Sequence, residues 1–296
     1  MFLQATIALA LLLPGANPAG PAESSKAKVV AADSSSAKVL TADFHPDRPD
    51  QFPTWEAASE QRLLELTNAE RRRNGLAPLQ VDGTLTAAAR AHAEAMAAKR
   101  DLSHQLTGEA ALAQRIASPA LHLSTAGENV ALDVDIDQAH DGLMHSPPHR
   151  ENILKPDYNV VGFGVARVGD RIFVTEDFGR KLATMPVGQA EDVVAASISN
   201  AHRHSSGRSL RRLELASLRK AACSMAGRDR MDPKAVVGLG PMRYVLTYTD
   251  MQPDQLPGSA KDAVQDGNLR SFAVGACYAQ TPSYPNGAYW VTVAFY

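Results

Sequence analysis

The stretch NVVGFGVARVGDRIFVTEDF, residues 159–178, contains two runs rich in branched and aromatic residues. Val and Gly alternate through the first run, Gly169-Asp170 forms a turn dipeptide, and the second run returns from Arg171 to Phe178. Alternating runs joined by such a dipeptide are typical of a β-hairpin. We therefore expect two antiparallel strands here.

Two helical patterns precede this hairpin. The first places Leu63, Leu66 and Ala69 at helical spacing, has Arg71–Arg73 in its last turn, where cations complement the helix dipole, and stops at Asn74-Gly75. The second begins at an Asp82-Gly83-Thr84 cap and puts four residues on one face, namely Leu85, Ala89, His92 and Met96. Because His92 lies on that apolar face, we expect a satisfied core histidine. Helices that lead into antiparallel strands predict an α+β fold, with the sheet between helical layers.

The composition sets wide limits on function. The 296 residues allow one large domain or two modest ones. Thirty Lys and Arg against 32 Asp and Glu give a net charge of −2, so no overall field attracts nucleic acid or an anionic membrane. Specificity is therefore expected to reside in a local site.

The N-terminus resembles a secretory signal. Residues 5–13 form an apolar run that is too short to span a bilayer and is followed by small residues up to Ala22. We expect a signal peptide at residues 1–22 and a Ser/Ala-rich flexible tether at residues 23–53, with no transmembrane anchor after cleavage. The predicted location is secreted or periplasmic, and the alternative is a buried or disordered N-terminal arm.

Three short sequences carry the candidate chemistry: Leu-Ser-His at 102–104, Gly-Glu-Asn at 127–129 and SPPHRENIL at 146–154. Each places a metal-capable or proton-transferring side chain on a predicted loop or at the end of an element. Two imidazoles and a carboxylate suit zinc or another divalent metal. His104 and His149 are far apart in sequence, so their spacing alone does not distinguish ligands from surface residues.

The ordered series from LTNAERRRNG at 66–75 to FVTEDFG at 173–179 resembles the CAP superfamily, named for cysteine-rich secretory proteins, antigen 5 and pathogenesis-related 1. The resemblance is to the cysteine-free bacterial branch, and it covers about residues 58–180 within a predicted domain at 54–182. It implies a three-layer α-β-α sandwich whose central cleft holds two His and two Glu. By motif these positions include His104, Glu128 and His149.

The chain departs from the family at the remaining Glu. Leu143 stands at the family's Trp position and Ser146 at its Glu position, as is common in bacterial relatives. The implied metal site therefore consists of His104, Glu128 and His149. The loss of one carboxylate removes a general-base candidate and should weaken a cation site.

Four further residues are auxiliary candidates. His145 and Ser146 adjoin the site in sequence, and we expect His145 to be a solvent-facing residue at a helix end. Glu176 and Asp177 are alternative acids on the last strand, although Asp177 belongs to the family's strand pattern and is expected to be structural.

The C-terminal third repeats parts of this pattern. The matches pair Asn68-Ala69-x-Arg71 with Asn200-Ala201-x-Arg203, Met96-Ala97 with Met225-Ala226, Val161-Gly162 with Val274-Gly275, and Phe173-Val174-Thr175 with Trp290-Val291-Thr292. They indicate a tandem duplication, with residues 191–296 forming a degenerate CAP-like domain that lacks the site motifs. Chance similarity of helix and strand patterns is the alternative.

The two cysteines lie in this third. Cys223 falls on a predicted helix and Cys277 on a predicted strand, and an exported chain would join them in a disulfide. Two reduced, buried cysteines are the alternative if the chain is not exported.

Three functional hypotheses follow. The first is a non-enzymatic binding module that holds Zn2+ or another divalent metal, with no nucleotide cofactor, an unidentified extracellular or envelope ligand and no nucleic acid partner. The second is a metal-assisted hydrolase of envelope peptide or peptidoglycan, with Glu128 as the base. The third is a structural His/Glu cluster.

Overall fold

The computed structural model describes residues 6–12, 52–118, 120–237 and 241–296. The chain divides into two compact units, and the boundary between them falls after Lys181. Within the described ranges, the helices are too short or too polar to cross a membrane. The predicted signal cleavage point at Ala22 and nearly all of the predicted tether lie outside the described residues.

The first unit combines one mixed sheet with five helices in its described part. Its elements in chain order are β1 Thr6–Leu12, β2 Thr54–Trp55, α1 Ala57–Arg73, β3 Gln80–Val81, α2 Gly83–Lys99, α3 Leu112–Arg115, β4 Leu123–Asp133, α4 Ile136–His145, α5 Pro147–Ile153, β5 Val160–Val168 and β6 Arg171–Lys181.

The sheet has the strand order β1-β4-β6-β5-β2, and neighbouring strands are antiparallel. The short strand β3 runs parallel to β5. The predicted hairpin is confirmed: β5 and β6 pair from Val160 to Val168, and Gly169 turns between them with a φ of 60° that favours glycine.

Helix α2 packs closely on one face of the sheet. A Cβ at Gly162 would lie 2.1 Å from the carbonyl carbon of Leu85, and a Cβ at Gly164 would lie 2.3 Å from that of Ala89. Glycine is required at both positions because the backbones approach each other directly. As predicted, Asp82 caps α2 by accepting hydrogen bonds from two backbone amides, and the apolar stripe that includes His92 is fully buried.

The other face of the sheet is covered by α1, α4 and α5. Side chains from these helices and from alternate strand positions form one apolar cluster, which includes Leu63, Leu143, Ile153, Phe163, Val165, Val174 and Phe178. With α2 opposite, the first unit is the expected α-β-α sandwich, and the α+β class is confirmed.

Arg71 does not play the role expected of it. The pattern placed it among cations that complement the end of α1, but its side chain is fully buried. Its guanidinium donates to four backbone carbonyls, those of Ala77, Ile153, Lys155 and Tyr158. Arg71 therefore joins the end of α1 to the segment that follows α5, a role that only tertiary structure reveals.

Strand β4 was not predicted. The sequence patterns indicated two helices and a hairpin but no strand here, whereas Leu123–Asp133 form a strand whose positions 126–131 are all buried. A strand covered on both faces shows no polar alternation, which explains the error. All three site residues had been expected on loops or at the ends of elements. His104 is in a loop and His149 is in the first turn of the short helix α5, but Glu128 lies in the middle of a strand.

The apolar N-terminal run includes β1, which pairs with β4 from Thr6 opposite Ala131 to Leu12 opposite Thr125. This pairing agrees with the alternative of an arm packed on the domain. It does not test whether residues 1–22 are removed as a signal, and their removal would take β1 with them.

The second unit has its own sheet. Its elements are α6 Val187–Ser206, β7 Arg211–Leu213, α7 Ala216–Gly227, α8 Lys234–Val237, β8 Tyr244–Asp250, α9 Ala260–Gln265, β9 Ser271–Thr281 and β10 Tyr284–Phe295. The strand order is β7-β9-β10-β8, with β7 parallel to β9 and the other pairs antiparallel. The predicted disulfide is present: Cys223 on α7 is bonded to Cys277 on β9, with their Cα atoms 5.1 Å apart.

Candidate functional site

Glu128 lies at the centre of the candidate site. It is fully buried in β4, directly opposite Asp177 on β6, which is in turn opposite Gly162 on β5. Residues paired across a sheet share a face, and Gly162 contacts α2, so Glu128 and Asp177 point toward α2. We call His104, Arg115, Glu128 and Asp177 the Glu128 cluster.

His104 is held by Glu128. Its Nδ1 lies 2.8 Å from Oε1 of Glu128, and its side chain is 14% exposed. The Nε2 atom of the same ring is buried and has no hydrogen-bond partner. The tautomer whose Nδ1–H donates to the carboxylate presents the lone pair of Nε2, which is the arrangement found in metal-binding histidines.

Arg115, at the end of α3, is a site residue that the sequence did not reveal. Its Nη2 donates to Oε2 of Glu128 at 2.6 Å and to the backbone oxygen of His104 at 3.0 Å. Both oxygens of Glu128 therefore already accept hydrogen bonds. A single arginine in a four-residue helix carries no periodic signal that could have indicated this role.

The two carboxyl groups of the cluster differ in protonation. Burial raises the pKa of Glu128, but the hydrogen bond from His104 and the charges of Arg115 and His92 outweigh it, so the pKa is lowered. Burial raises the pKa of Asp177 well above its ordinary value, and the neighbouring charge of Glu128 raises it further. Of the two carboxyl groups, Asp177 therefore holds its proton more strongly than Glu128 does.

His92 is the satisfied core histidine that was predicted. It is fully buried, its Nδ1 lies 2.8 Å from Oε1 of Glu109, and its Nε2 lies 2.8 Å from the backbone oxygen of Ser103. Ser103 directly precedes His104. His92 therefore fixes the loop from which His104 reaches Glu128.

His149 is buried in α5, and its Nδ1 lies 2.7 Å from Oγ of Ser146. Its backbone oxygen accepts a hydrogen bond from Nδ2 of Asn129, and Asn152 donates to the backbone oxygen of Glu128. These contacts anchor α5 to β4 at the two residues Glu128 and Asn129. Ser146, at the position of the family's missing Glu, thus has a direct contact with a site histidine.

Two other candidates lie away from the Glu128 cluster. Glu176 is opposite Asn129, one residue along β6 from Asp177 and hence on the other face of the sheet. Burial raises its pKa and the hydrogen bond from Asn129 partly offsets this effect, so that the pKa is about 7. The side chain of His145 is 78% exposed at the end of α4, which confirms the predicted solvent-facing position.

The three predicted metal ligands are not equally placed for that role. In the described part of the chain, no group of three or more His, Cys, Asp or Glu side chains is arranged to hold a metal ion. The oxygens of Glu128 already accept from His104 and Arg115, whereas Nε2 of His104 has no partner. Glu128 therefore orients His104 and does not itself offer an oxygen without a hydrogen-bond partner.

Comparison with known proteins agrees with this fold. Residues 64–178 match the CAP family, described as the cysteine-rich secretory protein family. The first unit is therefore a CAP domain, as the motifs from Leu-Ser-His to SPPHRENIL predicted.

Similar proteins occur in several bacteria. The chain is 36% identical over 118 residues to the protein YkwD of Bacillus subtilis, covering 40% of this chain and 46% of that protein. It is 34% identical over 124 residues to the membrane protein YlbC of the same organism, covering 42% and 35%. An extracellular SCP-domain protein of Bacillus anthracis with a solved structure is 31% identical, with a TM-score of 0.39 and coverage of 43% and 41%. The chain thus spans less than half the length of each of these relatives.

Proposed function

We propose that this chain is an exported CAP-domain protein that acts as a non-enzymatic binding module and holds a divalent cation such as Zn2+ at His104 and His149. The observation that carries the proposal is the orientation of His104. Its Nδ1 is fixed by Glu128, and its buried Nε2 has no partner. A buried polar atom left without a partner is destabilising, so this nitrogen is suited to a ligand.

Glu128 has an orienting role in this proposal. A carboxylate that accepts from the second nitrogen of a ligating histidine fixes the ring and raises its basicity. Arg115 donates to the other oxygen of Glu128, so the carboxylate would act by orienting His104 and not as a ligand. His149 would supply the second imidazole, from a helix that Asn129 and Asn152 tie to the strand carrying Glu128.

A hydrolase is a weaker proposal for this site. A general base needs a free lone pair and a pKa near the working pH. The pKa of Glu128 is lowered, and both of its oxygens are engaged by His104 and Arg115. We therefore favour binding over catalysis.

Isothermal titration with zinc tests the proposal. We expect the wild type to bind zinc, and His104→Ala and His149→Ala each to lose at least tenfold in affinity. His145→Ala is the matched control, because this exposed histidine is near in sequence but outside the cluster. Equal affinity in all four proteins would instead favour a purely structural His/Glu cluster.

Export is the second part of the proposal. The apolar run at residues 5–13 supports a signal peptide, and the Cys223–Cys277 disulfide is of a kind that persists in oxidising compartments. Mass spectrometry of the protein recovered outside the cytoplasm should give a mature N-terminus near residue 23. An intact residue 1 in that fraction would contradict the signal interpretation. The ligand is expected in the same compartment, in the medium or the cell envelope.

We further propose that residues 191–296, which follow the CAP domain at 54–182 in the sequence, are a degenerate CAP-like domain. The order β7-β9-β10-β8 corresponds to β3-β5-β6-β4, including the short parallel strand that follows the first helix. Gly164 is opposite Thr175 and Gly275 is opposite Thr292, and both glycines lie against a helix backbone at 2.3 Å from an added Cβ.

The helices support the same correspondence. An ion pair joins Glu60 to Arg90 in the first unit, and an equivalent pair joins Glu191 to Arg219 in the second. The buried positions of α1 and α6 also correspond, pairing Glu60 with Glu191, Leu63 with Val194, Thr67 with Ile198 and Arg71 with His202. The structure thus pairs Arg71 with His202, one residue before the Arg203 to which the sequence pattern matched it. It pairs Gly275 with Gly164, two residues after the Gly162 of the sequence match.

The site is replaced in the second copy. Thr175 of β6 corresponds to Thr292 of β10, and the registers within each sheet then align the neighbouring residues. The aligned positions are Glu128 and Val245, Asn129 and Leu246, Glu176 and Val293, and Asp177 and Ala294. Every polar residue becomes apolar. We therefore expect one zinc ion per chain, and a stoichiometry of two would contradict a second unit without a site.

A further inference from the structure

The outer edge of β4 is closed by a segment that the proposed export would remove. Residues 6–12 form β1, which pairs antiparallel with residues 125–131 of β4. Among the described residues, β1 is the strand that borders β4 on this side, and β6 borders it on the other. Cleavage near Ala22 would take β1 away and leave β4 as the last strand of the sheet. We call the side of residues 125–131 that faces β1 the β4 edge.

The domain holds β4 in place without help from β1. On one face of the sheet, Arg115 of α3 donates to the side chain of Glu128. On the other face, Asn129 donates to the backbone oxygen of His149 in α5, and Asn152 of α5 donates to the backbone oxygen of Glu128. Strand β6 pairs with β4 along its length. None of these contacts involves β1, so the β4 edge should keep its position when β1 is removed.

An open β4 edge has backbone groups that lack partners. In an antiparallel sheet, alternate residues direct their N–H and C=O groups to each neighbouring strand, so the removal of β1 frees one such set. Positions 126–131 are buried, and helix α5, which lies alongside both β1 and β4, keeps a wall beside the edge. A row of free strand backbone is a template for another extended chain.

The surroundings of the edge favour an uncharged occupant. The stretch TIALALL at residues 6–12 has no ionisable side chain. The charges of Glu128 and Arg115 are paired with each other, so neither would offset the cost of burying a charged side chain of the occupant. A segment with apolar or small neutral side chains therefore fits this place in the sheet.

We propose that the β4 edge of the mature chain binds an extended apolar peptide segment of a partner protein, which joins the sheet as an antiparallel strand in the place of β1. This inference rests on the proposed function, because the edge opens only when residues 1–22 are removed on export. It gives the ligand a chemical class, namely an extended, uncharged stretch about as long as the seven residues of β1. It also places the ligand beside α5, the helix that carries His149.

The test is an NMR titration of the metal-free mature chain, residues 23–296. The probe is a peptide of sequence TIALALL with two added lysines at each end for solubility. The backbone amides of residues 125–131 should shift saturably as the probe is added. The uncleaved chain, residues 1–296, is the control; because β1 covers its edge, it should bind the probe at least tenfold more weakly.

Methylated probes distinguish strand pairing from general apolar contact. One version carries N-methyl groups on the amides that correspond to residues 7, 9 and 11, and the other on those that correspond to residues 8, 10 and 12. In an added strand, only one of these two sets of N–H groups faces β4. One version should therefore lose at least tenfold in affinity, and the other should bind nearly as well as the unmodified probe.

Three results would overturn the inference. They are the absence of a saturable shift at residues 125–131, equal affinity of the two methylated probes, and slow hydrogen exchange of all these amides before any probe is added. The last result would mean that residues 23–51 or a second copy of the chain already cover the edge. Because the sample contains no zinc and begins at residue 23 by design, these results leave the cation site and export untouched. An intact residue 1 in the exported protein would contradict export alone.

Discussion

Glu128→Gln and Asp177→Asn should have very different effects, although the two carboxyl groups are neighbours on paired strands. Glu128 is ionised and accepts from His104 and Arg115, so Gln would leave the buried guanidinium without its counter-charge. Breaking a buried pair in this way costs about 3 to 5 kcal/mol. Burial and the charge of Glu128 raise the pKa of Asp177, which favours its uncharged form. Asn keeps the size of the carboxyl group and carries no charge, so we expect a cost of less than about 1 kcal/mol.

Urea unfolding at pH 7 is monitored by the NMR amide signals of the first unit. It gives the free energy of unfolding of that unit in each variant without interference from the second unit. The variants are matched in size change and burial, and each replaces one carboxyl group by an amide. Equal destabilisation by the two substitutions would refute the assignment of the charge to Glu128. Greater destabilisation by Asp177→Asn would reverse that assignment.

Three further predictions concern other parts of the fold. The pKa of Glu176 is raised from 4.5 to about 7, so between these pH values the folded state retains a proton that the unfolded chain releases. The free energy of unfolding should therefore fall by roughly 3 kcal/mol as the pH rises from about 4.5 to 7. Glu176→Gln should remove this pH dependence when urea unfolding is measured across the same range. Gly164→Ala should destabilise the first unit by more than about 2 kcal/mol in thermal or urea unfolding because a Cβ has no room against α2, while Gly83→Ala, which has open space, should be close to neutral. Replacing Cys223 and Cys277 by Ala should cost the second unit about 4 kcal/mol for a loop of 54 residues, and an unchanged unfolding midpoint for that unit would contradict a stabilising disulfide.

The parts of the fold that could be predicted are those with a clear period or turn. The stripe from Leu85 to Met96 repeats at helical spacing, and Gly169-Asp170 marks a hairpin, so α2, β5 and β6 were found in place. Strand β4 was missed because it is covered on both faces and shows no alternation. For the same reason Glu128 was predicted on a loop or at the end of an element, although it lies within a strand.

The sequence analysis predicted only those site residues that belong to a recognisable motif. His104 and Glu128 were identified by motif, and they lie in contact. Arg115 was missed because its pairing with Glu128 depends on how a four-residue helix sits over β4, which no local pattern encodes. Asp177 was expected to be structural, and its position opposite Glu128 follows from the register between two strands.

A crystal structure determined with zinc tests the central claim most directly. We predict an anomalous difference peak for a zinc ion that is bonded to Nε2 of His104 and to a ring nitrogen of His149, at about 2.0 to 2.1 Å from each nitrogen. Glu128 should remain hydrogen-bonded to Nδ1 of His104, outside the metal's coordination sphere. Zinc found only at exposed side chains such as His145, with no metal at His104, would contradict the proposed function.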